Sequence, residues 1–281
     1  MIMRRGRRVL VLVAGLGLAV PVASTAAAAP PEPAVYLALG DSVAAGVGAV
    51  PSDENGYVPV LHDTLVDGRE CGQGTALGCR LDLINLAQPG ATTTTLISEQ
   101  LPAALDLLAA REATPTPVDD VQLITLDIGG NDVFNPVITA CAPDPQSAGC
   151  ASTIAARLSL VAANYERILS ALRAAAGPDT TIAVMTYYNP LGACRLAAFA
   201  PLAQLVLEGG GPVPAGLNDI IRASAAAYGA VVVETAALIG PEDLVGGTDC
   251  LHPDNSGHAD IAAAFAAVID LDRVTGPPGR R

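Results

Sequence analysis

Five apolar runs of strand length recur along the chain: AVYLALG (34–40), LDLINLA (81–87), VQLITLDIG (121–129), TTIAVMTYY (180–188) and AVVVE (230–234). A strand with one wet face alternates apolar and polar residues. These runs are close to continuous, which is how strands buried on both faces read. Ala- and Leu-rich stretches lie between and after them, for example 93–112, 151–176, 215–228 and 256–269. Alternation of this kind implies right-handed βαβ crossovers and a parallel sheet covered by helices on both sides. No internal repeat and no second domain is visible.

The first 28 residues open with four arginines, continue through an apolar run from about 9 to 22, and end on small residues. Those are the three parts of a secretory signal peptide, and the run is shorter than the roughly 20 residues a membrane span needs. Residues 1–28 are therefore read as an export signal and 29–281 as a single domain. The mature chain is expected outside the cell, with no stable membrane insertion. RRVLV also bears a faint likeness to a twin-arginine signal, so the export route stays open.

The leader holds four of the 15 arginines and no acid, so its removal moves the formal net charge from −13 to −17. An acidic surface repels nucleic acid, and no nucleic-acid partner is expected. Six cysteines, Cys71, Cys79, Cys141, Cys150, Cys194 and Cys250, favour three disulfides over free thiols or metal ligands in an exported chain. Six cysteines allow fifteen pairings. The short spacings suggest 71 with 79 and 141 with 150, which leaves 194 with 250.

Open parallel sheets bind ligands beyond the carboxyl ends of their strands. Directly after the first three runs stand GDSVAAG, QPGATT and GGNDV, and DCLHPDNSGH at 249–258 holds two of the three histidines. A serine hydroxyl becomes a nucleophile when a base takes its proton and a third group holds that base. Ser42 stands at the end of the first run. Asp249-x-x-His252 can present a carboxylate and an imidazole from one tight turn. Acyl transfer also needs donors for the developing oxyanion, and the N–H groups of Ser42 and Gly90 with the amide of Asn131 are candidates. Singly, each has an ordinary reading as a turn or cap residue.

Gly129, Gly130 and Asp132 read as loop-shaping residues. His258 reads as structural, in the first turn of a final helix capped by Asn255 or Ser256. A metal reading would need His252, His258 and nearby aspartates, with His62 far away, and no metal or cofactor is expected.

Together, GDSVAAG, the glycine of LAQPGATT, GGND and DCLH resemble the four ordered blocks of the SGNH hydrolases, also called GDSL lipases and esterases. The resemblance spans the mature domain. It implies a three-layer α/β/α sandwich with a mostly parallel, flavodoxin-like five-stranded sheet. It also implies Ser42 as nucleophile, His252 as base, Asp249 as its partner, and Ser42, Gly90 and Asn131 as the oxyanion hole. GDSV has valine where the family name has leucine, at a position that packs and does not react. No Gly-x-Ser-x-Gly occurs, which argues against the α/β-hydrolase nucleophile elbow. Six cysteines behind a leader look most like the secreted bacterial branch, with three sequential disulfides.

The expectation is a monomeric, secreted serine esterase or lipase acting through an acyl-enzyme on a small-molecule or lipid ester. A carbohydrate O-deacetylase would use the same residues. A metal-dependent hydrolase and a non-catalytic binding domain are the remaining alternatives. Loops at 137–153 and 189–214, with Leu191, Phe199 and Leu202, are expected to wall the pocket, and apolar walls favour an acyl chain over a sugar.

Overall fold

The computed structural model describes residues 33–67, 81–113 and 120–269. The expected export signal, the Cys71–Cys79 pair and the C-terminal TGPPGRR lie outside the described residues. In chain order the main elements are β1 (Ala34–Gly40), α1 (Tyr57–Asp67), β2 (Leu81–Asn85), α2 (Leu101–Glu112), β3 (Val121–Asp127), α3 (Gly130–Cys141), α4 (Ala148–Ala176), β4 (Thr181–Met185), α5 (Ala200–Glu208), α6 (Leu217–Ala227), β5 (Val231–Val233) and α7 (Asn255–Val268).

Each of the five apolar runs supplies one strand. All pairings are parallel, in the order β2-β1-β3-β4-β5. That is the flavodoxin-like order, and its topological switch point lies between the carboxyl ends of β1 and β3. All seven residues of β1 and of β3 are buried, which is why these segments carry no polar alternation. The edge strands β2 and β5 are half-buried.

Helices cover both faces. On one, α1 packs against α7, with Tyr57 stacked on Phe265 at 5.1 Å between ring centroids. On the other, α4 lies between α2 and α6 and also carries α3. Along α4 the buried residues Cys150, Ile154, Leu158, Val161, Tyr165, Ile168 and Leu172 recur every three or four positions, an apolar stripe along one side of the helix. Each large apolar side chain buried in this way contributes roughly 1.5–3 kcal/mol. Ser147 caps the helix by accepting the N–H of Cys150 at 3.1 Å, and Gly177 with φ 70° ends it.

Several loop and cap readings are corrected. Residues 137–153 are not one loop: α3 runs to Cys141 and α4 begins at Ala148, leaving a short connection between them. Within 189–214, residues Ala200–Glu208 form α5 and Leu191 is fully buried, so it belongs to the core and not to a pocket wall. Gly130 and Asp132 stand in the first turn of α3. The cap of α7 is Asp254, whose carboxylate accepts the N–H groups of Ser256 and Gly257; Asn255 bonds the backbone of Val50 instead. Disulfides join Cys141 to Cys150 and Cys194 to Cys250, and among the described residues no cysteine is free. No helix among the described residues is long and apolar enough to cross a membrane.

Candidate active site

The chain leaves β1 at Gly40 and turns sharply, with the N–H of Ala45 bonded to Asp41 O at 3.1 Å and that of Val47 to Ser42 O at 2.9 Å. This winding lifts Ser42 off the end of the strand. Beneath it, Asp41 is buried, its carboxylate accepting the N–H of Val43 at 3.0 Å and the hydroxyl of Tyr187 at 2.6 Å.

His252 arrives from the other end of the sequence. Its Nε2 lies 2.9 Å from Ser42 Oγ, and its Nδ1 lies 2.8 Å from Asp249 Oδ2. The carboxylate holds the turn as well as the ring, because its Oδ1 accepts the N–H of Leu251 at 2.9 Å and that of His252 at 3.1 Å. Burial raises the carboxyl pKa of Asp249, but these N–H groups and the imidazole outweigh it and hold the group below its ordinary value. It is therefore ionised at neutral pH, as a partner for an Nδ1–H must be.

The Asp249–His252 turn is fixed from several sides. The Cys194–Cys250 disulfide ties it to the segment after β4, and Tyr188 donates its hydroxyl to Leu251 O at 3.0 Å. Gly48 lies against it so closely that a Cβ there would stand 2.0 Å from Pro253 O, at a φ of 101° that side chains rarely adopt. Sequence reasoning passed over Gly48, although it sits six residues beyond Ser42 in a glycine-rich turn.

Asn131 stands in the first turn of α3, and its Nδ2 donates to Ala91 O at 3.0 Å. Gly90, with φ 81°, occupies the exposed turn just before Ala91. Among the described residues, neither the Ser42 nor the Gly90 backbone N–H donates to another protein group. Asp132, read as loop-shaping, does more than shape a loop. Its carboxylate accepts the N–H of Thr93 at 2.8 Å and the Thr93 hydroxyl at 2.7 Å, locking the segment after Gly90 to α3. Ser42, Asn131 and His252 share a cleft of about 30 Å³ with Val43, Phe134, Tyr188 and Leu251 among its walls.

His258 is fully buried, with Nδ1 accepting the N–H of Tyr57 at 3.2 Å and Nε2 donating to Val47 O at 3.1 Å. That fixes a neutral tautomer, and burial pushes its pKa down. It joins α7, α1 and the turn after Ser42. His62 bonds Leu81 O at 2.7 Å, on α1. No group of three or more histidine, cysteine or acidic side chains able to hold a metal ion occurs among the described residues.

A family model described as the GDSL-like Lipase/Acylhydrolase family matches residues 38–259. The chain belongs to this family. The GDSL match begins just before Ser42 and ends just beyond His258, so it contains Ser42, Gly90, Asn131, Asp249 and His252. Membership places this GDSL protein among the ester hydrolases. No curated protein matches it in sequence.

Solved structures share its fold. A lipase from a goat rumen metagenome is 20% identical, with a TM-score of 0.59 over 85% of this chain and 99% of the other. An extracellular lipase from Streptomyces rimosus is 18% identical, with a TM-score of 0.55 over 84% and 100%. An acetylxylan esterase from Geobacillus stearothermophilus is 16% identical, with a TM-score of 0.52 over 88% and 96%.

Proposed function

We propose that this GDSL protein is a secreted serine ester hydrolase that cleaves carboxylic esters through an acyl-enzyme. The observation that carries this reading is the unbroken line of hydrogen bonds from Ser42 through His252 to Asp249. Ser42 Oγ attacks the ester carbonyl while its proton passes to His252 Nε2. Asp249 holds the Nδ1–H tautomer and stabilises the imidazolium that forms. The carbonyl oxygen, now an oxyanion, receives the N–H groups of Ser42 and Gly90 and one N–H of Asn131. A carboxamide has two N–H donors, and the bond to Ala91 O uses one and aims the other. Collapse of the tetrahedral adduct expels the alcohol, which takes the proton from His252. Water, deprotonated by the same imidazole, then releases the acid and restores Ser42.

The polar groups of the cleft favour a lipid or simple ester over a carbohydrate ester. Tyr187 donates its hydroxyl to Asp41 and Tyr188 to Leu251 O, so neither has a donor to spare for a carbohydrate. All three proposed catalytic groups come from one chain, so a monomer suffices. Secretion is supported by the leader-like residues 1–28 and by two disulfides of the kind that persist in oxidising compartments. The secreted branch of the family fits the same features.

The test is kcat/KM on p-nitrophenyl esters from acetate to palmitate, beside acetylated xylan. Hydrolysis of the p-nitrophenyl esters with little release of acetate from xylan is expected. Turnover of acetylated xylan far above every p-nitrophenyl ester would assign the O-deacetylase activity instead.

A further inference from the structure

The cleft at Ser42 is small, about 30 Å³, and Phe134 of α3 forms part of its wall. It has room for the reacting carbonyl and little more. Behind Phe134 lies a second void of about 10 Å³ between α3 and α5, lined by Val133, Phe134, Val137, Ile138, Leu202 and Val206. Beyond Leu202 a third opens between α4, α5 and the segment 212–215, with a volume of about 380 Å³, inside the range of small-molecule sites. Phe134 is shared by the first two and Leu202 by the last two, so the three adjoin in series.

The side chains differ along this series. Around Ser42 the walls carry Asn131 and His252, whereas past Phe134 they are apolar. The large groove is built from Ile154, Leu158, Leu202, Leu205, Val213 and Ile220 among others, with Ser159 as a polar side chain, and no acidic or basic residue lines it. In a protein with 28 acidic residues and a net charge of −13, an uncharged groove of this size is a selective feature. The Cys141–Cys150 disulfide joins the end of α3 to the start of α4, and Cys150 itself lines the groove, so the α4 wall is tied to the helix that carries Phe134.

We infer that this groove binds the fatty acyl chain of a long-chain ester, which reaches it from Ser42 by displacing the Phe134 ring. The inference rests on the proposed esterase reading for its connection to catalysis. From Asn131 to Ile138 the path follows about two turns of α3, roughly 10 Å. An unbranched apolar chain suits a narrow passage without polar groups, and a sugar does not. Each methylene transferred from water to such a wall strengthens binding roughly fourfold. Short acyl groups stay in the first cleft and gain nothing from the groove.

The test uses Ala155→Trp. Ala155 is an exposed wall residue of the groove, outside the proposed catalytic machinery, and the chain has no tryptophan of its own. The indole fills the groove and serves as the chain's one tryptophan fluorophore. The expected result is a kcat/KM for p-nitrophenyl palmitate reduced at least tenfold, with p-nitrophenyl acetate unchanged within twofold. Phe134→Ala, which opens the passage, shifts the palmitate-to-acetate ratio the other way. An unchanged ratio in both variants overturns the groove assignment.

Tryptophan emission is read separately, with palmitate added to Ala155→Trp carrying Ser42→Ala. A blue shift that saturates with palmitate and is absent with acetate supports the groove even if no ester is turned over. That outcome separates failure of the esterase reading from failure of this one. No emission change overturns the groove. A dimer that Ala155→Trp dissociates while the ester preference stays the same assigns the groove to a second copy and overturns it too.

Discussion

Asp127, the last residue of β3, accepts the backbone N–H of Ala44 at 3.1 Å, two residues beyond Ser42. The register that pairs Gly40 with Asp127 brings these segments together, and Tyr57 donates its hydroxyl to the same carboxyl group at 2.7 Å. Asp41 lies beside Asp127, and both are buried among neutral partners: Tyr57, Tyr187 and the N–H groups of Val43 and Ala44. Two such carboxyl groups cannot both ionise cheaply. Burial raises both, and the charge of Asp41 pushes Asp127 well above the ordinary carboxylate range, which favours its neutral form.

Stability depends on pH as a result. A neutral Asp127 keeps in the folded chain a proton that the unfolded chain releases above about pH 4. The unfolded state then binds fewer protons, so stability falls as pH rises from there until Asp127 ionises in the folded state. Its slope approaches about 1.4 kcal/mol per pH unit for one such group. Asp127→Asn removes this titration. Urea midpoints from pH 4 to 8 are expected to decline less steeply for Asp127→Asn than for the parent; parallel lines would show that Asp127 does not hold the proton.

Loss of one oxyanion donor has a characteristic kinetic signature. Asn131→Ala is expected to lower kcat by roughly 10²- to 10³-fold with KM little altered. Steady-state kinetics on a short p-nitrophenyl ester decides it. A rise in KM with kcat preserved would place Asn131 against the ground-state substrate only.

Cys250 lies between Asp249 and His252, so its bond to Cys194 constrains the proposed base directly. With a sequence separation of 56, the bridge stabilises the fold by roughly 4 kcal/mol in the chain-entropy model. A displacement of about 1 Å in a catalytic group can cost on the order of 100-fold in rate. Cys194→Ser with Cys250→Ser is therefore expected to lower kcat for the acetate ester at temperatures where circular dichroism still reports a folded chain. Cys141→Ser with Cys150→Ser, remote from His252, is expected to leave that kcat near the parent value. Equal losses in both pairs would reduce the first bridge to a general staple.

The strands were legible because burial on both faces leaves nothing to alternate, as AVYLALG shows with seven buried residues. The Ser42, Gly90 and Asn131 segments were legible as ordered blocks after the first three strands, and Asp249–His252 as a block that follows the fifth at a distance. Helix α3 was not, because GGNDVFNPVITAC contains two glycines, a proline and β-branched residues that oppose a helix locally. Tertiary packing overrides that preference. The signal was present in the spacing of Val133, Phe134, Val137 and Cys141, all buried on one face. The Asp41–Asp127 pair gave no sequence signal, since the β1–β3 register alone brings residues so far apart together. Asp132 likewise found its partner, Thr93, only in three dimensions.

Whether Ser42 Oγ is the nucleophile decides the proposed chemistry, and covalent trapping addresses it without an assumed substrate. The protein is treated with a fluorophosphonate, and the adduct is located by peptide mass spectrometry in the parent and in Ser42→Ala. One adduct is expected, on Ser42, formed as esterase activity disappears, with neither adduct nor activity in Ser42→Ala. An adduct on another residue, or ester turnover that survives Ser42→Ala, would contradict the assignment of Ser42.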